Sequence, residues 1–499
     1  MTELTAGLGP SSAGVLDTLV VGAGISGLTA ALRLTQRDRT VLVLEHQERV
    51  GGCITTASGE GFLWEEGPNS FAPTPELLEL AVEVGLKDEL VFADGNLPRY
   101  VYWQGELLPV PMTPGAFWRS RLLSEGGKLR LLLGALGFTP PAMGPALAAR
   151  GGEETIREFF SRHLGAEAVE RLVSPFVSGV YAGDIDALSA SAAFRRMANM
   201  EAQGGGLVGG AMRVLLARRR DRARAAHKPN PQIPKPKRGQ LGSFRTGIQA
   251  LPEAIAAKLG DRVKLRWRVE KIHRTAYGTY AVDVATPEGL QLIEARSLLL
   301  TVPTQIAADL LWNLAPEASQ ALQGIYYPPV ACVIVAYPTD AYRRPLDGFG
   351  NLIPRSAGLK TLGTIWASTL FPGRAPEGWA HTINFIGGAT YPDIAQMTPD
   401  AIAAQVDADL RQILLKPDAP EPKVLAVRLW RRAIPQYEIG HLRRLDTVAA
   451  ALERLPGLHI YSNYVGGVSV GDCIKGGAAE AARIDQVLED LGARLRRAS

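Results

Sequence analysis

"VVGAGISGLTAALRL", residues 20–34, is the stretch that most constrains what this chain can fold into. Gly22, Gly24 and Gly27 lie between an apolar run, Val15–Val21, and a helical pattern, Ile25–Leu34. "TVLVLE" (Thr40–Glu45) follows as a second buried strand. This order predicts a strand, helix, strand unit whose first turn binds a dinucleotide. Gly22 permits the tight turn, Gly24 lets the backbone approach a pyrophosphate, and Gly27 lets the helix pack on the sheet. Ala23, Ile25 and Ser26 complete a loop whose helix N-terminus offers N–H groups to phosphate. Glu45 stands where a carboxylate accepts hydrogen bonds from ribose hydroxyls, which selects a non-phosphorylated ribose. Glycine triplets also end strands and allow close packing. Strand, helix and acid in register favour the nucleotide.

With 499 residues the chain exceeds one hydrophobic core, so two or three domains are expected, and 46% hydrophobic against 21% charged residues is globular composition. The three cysteines, Cys53, Cys332 and Cys473, form no CxxC pair. They suggest neither a disulfide framework nor a metal site, and a reducing, cytoplasmic location is expected. Residues 1–14 lack the basic and apolar regions of a signal peptide and read as a short tail. Leu131–Ala149 is the longest uncharged stretch, but Pro140, Pro141 and Pro145 would break a spanning helix. Net charge is +4, yet Arg213–Arg238 carries +9 by itself, leaving the remainder at −5.

Phe117–Leu216 reads mostly as helix, Val263–Val302 alternates as strands, "HIYS" (His459–Ser462) is a late strand, and a terminal helix is expected over Ile474–Arg497. Ala225–Gly239, with four prolines, reads as a flexible basic loop.

Beyond the glycine loop, "ERVGG" (Glu48–Gly52) extends the pattern. The whole resembles the FAD-binding start of the flavoprotein amine oxidase superfamily, in which an arginine after the second strand approaches the pyrophosphate. Arg49 and Gly52 hold those positions. "EEGPNSF" (Glu65–Phe71), "SPFVSGVYAGD" (Ser174–Asp184), "KPKRGQLGSFRTGIQALP" (Lys235–Pro252) and "NYVGGVSVGDCIKGG" (Asn463–Gly477) resemble the protoporphyrinogen IX oxidase family, in the oxygen-dependent form of cyanobacteria and plant plastids.

That resemblance implies a mixed α/β and α+β architecture. A discontinuous Rossmann-like FAD-binding domain is expected over 15–92, 240–305 and 425–497, and a β-sheet substrate domain over 93–112 and 306–424. An inserted helical domain would cover 113–215 and a basic loop 216–239. It further implies that Gly67, Pro68, Asn69 and Ser70 lie along the flavin, that the Val269 backbone meets the adenine, and that Val468, Ser469 and Val470 face the flavin N1 and O2 edge. Arg99 would pair with a substrate propionate. Gly179 would let the ring approach the backbone, and Leu352, Ile365 and Phe385 would wall the macrocycle, Ile365 standing where leucine is commoner. Taken singly, the apolar residues read simply as core.

The implied reaction is the six-electron oxidation of protoporphyrinogen IX to protoporphyrin IX with FAD as cofactor and molecular oxygen as acceptor, in haem and chlorophyll biosynthesis. No acid/base pair or metal motif is evident and the seven histidines are scattered, so no catalytic side chain is assigned. The alternatives are a flavin-type coproporphyrinogen III oxidase, an amine oxidase or carotenoid desaturase, and, outside catalysis, a pigment or lipid carrier on the same fold. The basic stretch and helical insertion suggest peripheral attachment to an inner or thylakoid membrane, with a merely solvated loop as the equal alternative. Nucleic-acid binding is not expected, since aromatic residues do not interleave with these charges. A homodimer is left open.

Overall fold

A computed structural model describes residues 14–204, 233–237 and 239–498. Most of the basic stretch Arg213–Arg238 lies outside the described residues.

The dinucleotide unit forms as β1 (Leu16–Val21), α1 (Ile25–Thr35) and β2 (Val41–Glu45). β1 runs parallel to β2 on one side and to the long strand Gly289–Leu300 on the other. The sheet continues through the antiparallel pair Arg268–Arg274 and Tyr280–Thr286, with Val263–Leu265 beyond β2 and Leu458–Ile460 beside Gly289–Leu300. Every residue of α1 except Arg33 and Thr35 is buried. The helix is sandwiched, which explains its apolar and small residues all round.

A second seven-stranded sheet runs in the order Lys423–Trp430, Val330–Pro338, Trp379–Gly387, Thr361–Ile365, Gly350–Leu352, Arg99–Trp103, Glu106–Pro109. One face packs under helix Pro399–Ile413, whose Ile402, Val406 and Leu410 join Tyr100, Val333, Tyr337 and Trp366 in a core. Against the other face lies α2 (Ser174–Tyr181). The strand Lys423–Trp430 pairs with Val330–Pro338, so this sheet reaches past the boundary expected at 425. An apolar run does not reveal which sheet it will join. Helices Thr304–Leu311 and Pro316–Gln323 instead pack onto the dinucleotide sheet through Ala307, Leu311 and Leu322.

The segment 114–204 is helical wherever it is regular. It exposes several large apolar side chains: Trp118, Leu136, Phe138 and Met143 are each more than half exposed. The last helix, α3 (Val470–Ala498), begins before the expected Ile474. Ser469 explains the early start: its hydroxyl accepts the Asp472 N–H at 3.1 Å and donates to the Asp472 carboxylate at 2.6 Å, capping the first turn. Among the described residues no helix is long and apolar enough to cross a membrane.

Candidate active site

The three glycines divide their work as their surroundings dictate. A Cβ on Gly27 would stand 2.1 Å from the Gly22 carbonyl oxygen, so only glycine lets α1 sit this close to the strand end. Gly22 has φ +104°, a conformation side chains resist. A Cβ on Gly24, by contrast, would meet nothing within 4 Å: it would project into open space. The helix N-terminus there has no side-chain cap and no acid in its first turn, so its N–H groups are free to bind an anion.

Glu45 is 4% exposed, and its carboxylate accepts the Ala23 N–H at 2.9 Å and the Gln47 N–H at 3.0 Å. His46 Nδ1 lies 2.9 Å from it. Burial pushes the carboxyl pKa up, but the donors from His46, Gln47 and Ala23 outweigh it and hold Glu45 below the usual carboxylate range. Glu45 is therefore an anion fixed beside the glycine loop. Arg49 shapes the neighbouring turn. Its guanidinium donates to the carbonyls of Val50 and Ile54 at 3.1 Å and of Gly52 at 2.8 Å. This seats Gly52 against Gly24, where a Cβ would lie 3.5 Å from the Gly24 Cα. Val269 sits at an irregularity where its strand slips register against Tyr280–Thr286, close to where Trp267 N–H bonds to the Glu45 carbonyl at 2.8 Å.

α3 crosses α1 where a Cβ on Gly477 would be 2.4 Å from the Ser26 carbonyl oxygen, and its first turn meets Thr74 through Gly471. Val470 joins Phe71, the residue after Ser70, in one core cluster, while Val468 packs against the cluster around Tyr181 and Tyr437. Gly67 is pressed on the Cys53 carbonyl, which a Cβ would approach to 2.0 Å. Asn69 is 7% exposed, yet neither atom of its amide has a partner among the described residues. Cys53 is solvent-accessible, but the surrounding chain desolvates its thiol and raises its pKa. The backbone of "NY" is held from beneath: the Tyr437 hydroxyl donates to the Asn463 carbonyl, and His441 Nε2 lies 2.9 Å from the Tyr464 carbonyl. Burial holds His441 neutral, its pKa down to about 4.

The second sheet gathers the expected substrate residues. Arg99 is in register with Gly350, Gly350 with Ile365, and Ile365 with Ile383. Two residues along, Leu352 is in register with Gly363, Gly363 with Phe385, and Phe385 with Cys332. Residues in register, and residues two apart on one strand, share a face. Arg99, Leu352, Ile365 and Phe385 thus look the same way, and α2 lies over them with Gly179 against Leu352. The Arg99 guanidinium lies 5.3 Å from the centre of the Phe349 ring and makes no hydrogen bond or ion pair among the described residues. At the other end of the face, the Cys332 thiol donates to the Glu65 carbonyl at 3.7 Å, so the face ends at the "EEGPNSF" segment.

Sequence reasoning missed what ties these parts together. Arg374, in the aperiodic loop "FPGRAPEG", forms an ion pair of 3.0 Å with Glu65. Trp430 Nε1 donates to the Glu66 carbonyl at 2.7 Å. Only the prolines and glycines around Arg374 marked the loop, and nothing in it signalled a buried cation.

The uncapped helix end, the open space beside Gly24, the ionised Glu45 and the unpartnered Asn69 amide fit an adenine dinucleotide. The family described as flavin containing amine oxidoreductase matches residues 25–485. The chain is 45% identical over 485 residues to the chloroplastic protoporphyrinogen oxidase of Oryza sativa subsp. japonica, which covers 95% of this chain and 88% of the relative. It is 27% identical over 483 residues to the coproporphyrinogen III oxidase of Bacillus subtilis (strain 168), with 94% and 97% covered. The cyclohexylamine oxidase of Brevibacterium oxydans IH-35A has the same fold, with a TM-score of 0.64 at 19% identity over 95% of this chain and 100% of that one. The cofactor is FAD, and the chain belongs to the flavin-containing amine oxidoreductase family.

Proposed function

We propose that this protein oxidises protoporphyrinogen IX to protoporphyrin IX, with molecular oxygen as the final acceptor. The observation that carries this reading is the apolar surface of Leu352, Ile365, Ile383 and Phe385, with Arg99, which makes no ion pair among the described residues, at one edge and Arg428, in register with Cys332, at the other. At the usual strand spacing, about 14 Å separates the Arg99 strand from the Phe385 strand. That span suits a tetrapyrrole macrocycle with a propionate at one end and a reacting carbon at the other. A tetracarboxylate such as coproporphyrinogen would have to bury further charges on an apolar wall, which is costly without partners. The chloroplastic relative from rice, at 45% identity, supports the same substrate.

FAD, when bound, supplies the two-electron redox chemistry, and the chain supplies position and environment. Arg99 would anchor the propionate through charge-assisted hydrogen bonds, held ready over the Phe349 ring. Leu352, Ile365 and Phe385 would exclude water from the ring. Cys332, on the inner part of this face, is kept protonated by burial and is no base at neutral pH. The substrate's own pyrrole nitrogens can release the protons.

The exposed Trp118, Leu136, Phe138 and Met143 support peripheral docking of the helical segment on a membrane, which would suit an apolar substrate. Competition decides the substrate. Under anaerobic conditions, protoporphyrinogen should bleach the flavin faster than coproporphyrinogen or a primary amine; preference for either of the others would reject this reading.

A further inference from the structure

Glu65 and Arg374 form the most completely enclosed ion pair among the described residues, with side chains 0% and 2% exposed. Every polar atom of the carboxylate is used. Glu65 Oε1 accepts Arg374 Nη1 at 3.0 Å and the Ile248 N–H at 3.1 Å, and Oε2 accepts the Thr56 hydroxyl at 2.6 Å. Arg374 Nη2 donates to the Ser243 hydroxyl at 2.7 Å, the guanidinium lies 5.0 Å from the centre of the Phe371 ring, and the Arg374 carbonyl accepts the Leu63 N–H at 3.1 Å. Ser243 and Ile248 belong to the segment before helix Ala250–Leu259, which packs on α1. Three separate stretches of chain are therefore pinned to one pair.

A buried pair of this kind contributes little net stability compared with an apolar pair of the same volume. Its directional bonds fix geometry, and the two chains it joins are informative. Two residues after Glu65 comes Gly67, which opens the flavin-facing segment Gly67–Ser70. The chain leading to Arg374 comes from strand Thr361–Ile365 by way of helix Ala367–Leu370, and Ile365 lies on the substrate face. The Glu65 carbonyl itself takes the Cys332 thiol from the same face.

We propose that Glu65 and Arg374 are positioning residues that set the gap between the flavin-facing segment and the substrate face. The inference rests on the reading of this site as a flavin and porphyrinogen site. Its consequence is specific: loosening the pair slows the reductive half-reaction at saturating substrate, while FAD binding, the Michaelis constant and reoxidation by oxygen change little.

The test uses the FAD-loaded enzyme and variants of the pair. Arg374→Met alone should lower the melting temperature, because it leaves a buried carboxylate unpaired. The double variant Glu65→Gln/Arg374→Met removes both charges and should regain most of that loss and bind FAD normally. It should nevertheless show at least tenfold slower anaerobic flavin bleaching by saturating protoporphyrinogen, and an altered visible circular dichroism of the oxidised flavin. Arg374→Lys, which keeps the charge, should recover part of the rate. A double variant with wild-type bleaching and wild-type circular dichroism would overturn the proposal and leave the pair purely structural, as would a defect confined to the Michaelis constant. If protoporphyrinogen fails to bleach wild-type enzyme, the substrate reading has failed instead, and the flavin circular dichroism still decides the positioning role. Should the double variant not fold, Glu65→Gln and Arg374→Lys are read by the same two signals.

Discussion

A Cβ added to Gly179 would stand 2.5 Å from Leu352 Cδ2, so α2 and the substrate sheet touch at the one place where both elements carry an expected substrate residue. The obstructing atom is the end of a flexible side chain and can move. Gly179→Ala should therefore fold, even gaining some helix propensity, while pushing Leu352 into the space for the ring. The Michaelis constant for protoporphyrinogen should rise about tenfold, the effect of one methyl group in an apolar pocket. Adding Leu352→Val should reverse much of it. A Gly179→Ala enzyme with unchanged steady-state kinetics would show that this contact does not shape the site.

Arg99 has no acidic partner among the described residues, so its charge is available to a ligand. Arg99→Ala should raise the Michaelis constant by ten- to a hundredfold, the equivalent of about 1.5–3 kcal/mol for a charged hydrogen bond. The rate at saturation should stay near wild type. A fall in the saturated rate alone would assign Arg99 to the chemistry instead.

The glycine loop yields a paired prediction. Gly27→Ala meets a backbone oxygen at 2.1 Å, so the apoprotein itself should lose stability. Gly24 has φ −71°, which alanine tolerates, and open space beyond it. Gly24→Ala should leave the apoprotein melting temperature within a few degrees of wild type yet bind FAD far more weakly. Calorimetry of both apoproteins with FAD titration checks this; equal behaviour of the two variants would contradict the assigned roles.

How much of this was legible in the sequence depends on whether a residue acts through its own chain neighbours. Gly22, Gly24, Gly27 and Glu45 did, because turn, helix start and strand end are local events whose spacing is written in order. Ser469 could have been read too: serine with an aspartate three residues on is a helix-start signal, and it would have moved α3 to its true beginning. That Leu352, Ile365 and Phe385 face one way needed the pairing of three strands, which periodicity cannot supply, so only resemblance named them. Glu65, at the end of the short strand Phe62–Glu65, and Arg374, in a loop, are separated by most of the chain, and no periodic signal pairs them.

His381 is fully buried with both ring nitrogens unpartnered among the described residues, and burial, aided by the nearby Arg374 charge, holds its pKa down to about 4 from an ordinary 6.5. The unfolded chain therefore binds the extra proton between pH 4 and 6.5, so this contribution to stability is full above pH 6.5 and lost as pH falls toward 4. His381→Leu should lose less stability across that window than wild type, by on the order of 3 kcal/mol. Thermal melts at pH 4 and pH 8 measure it. Parallel melting curves would mean that His381 is solvated.

Phe138 and Met143 are 69% and 80% exposed. Replacing both with serine should reduce flotation with anionic liposomes without changing turnover of substrate presented in detergent. Unchanged flotation would remove these side chains from any membrane contact.

The central claim is tested most directly by following porphyrin fluorescence and oxygen uptake together in the FAD-loaded enzyme, with protoporphyrinogen and coproporphyrinogen offered separately. The account predicts protoporphyrin formation with three molecules of oxygen consumed per porphyrin, and much slower turnover of the tetracarboxylate. Faster oxidation of coproporphyrinogen, or porphyrin formation without oxygen uptake, would contradict it.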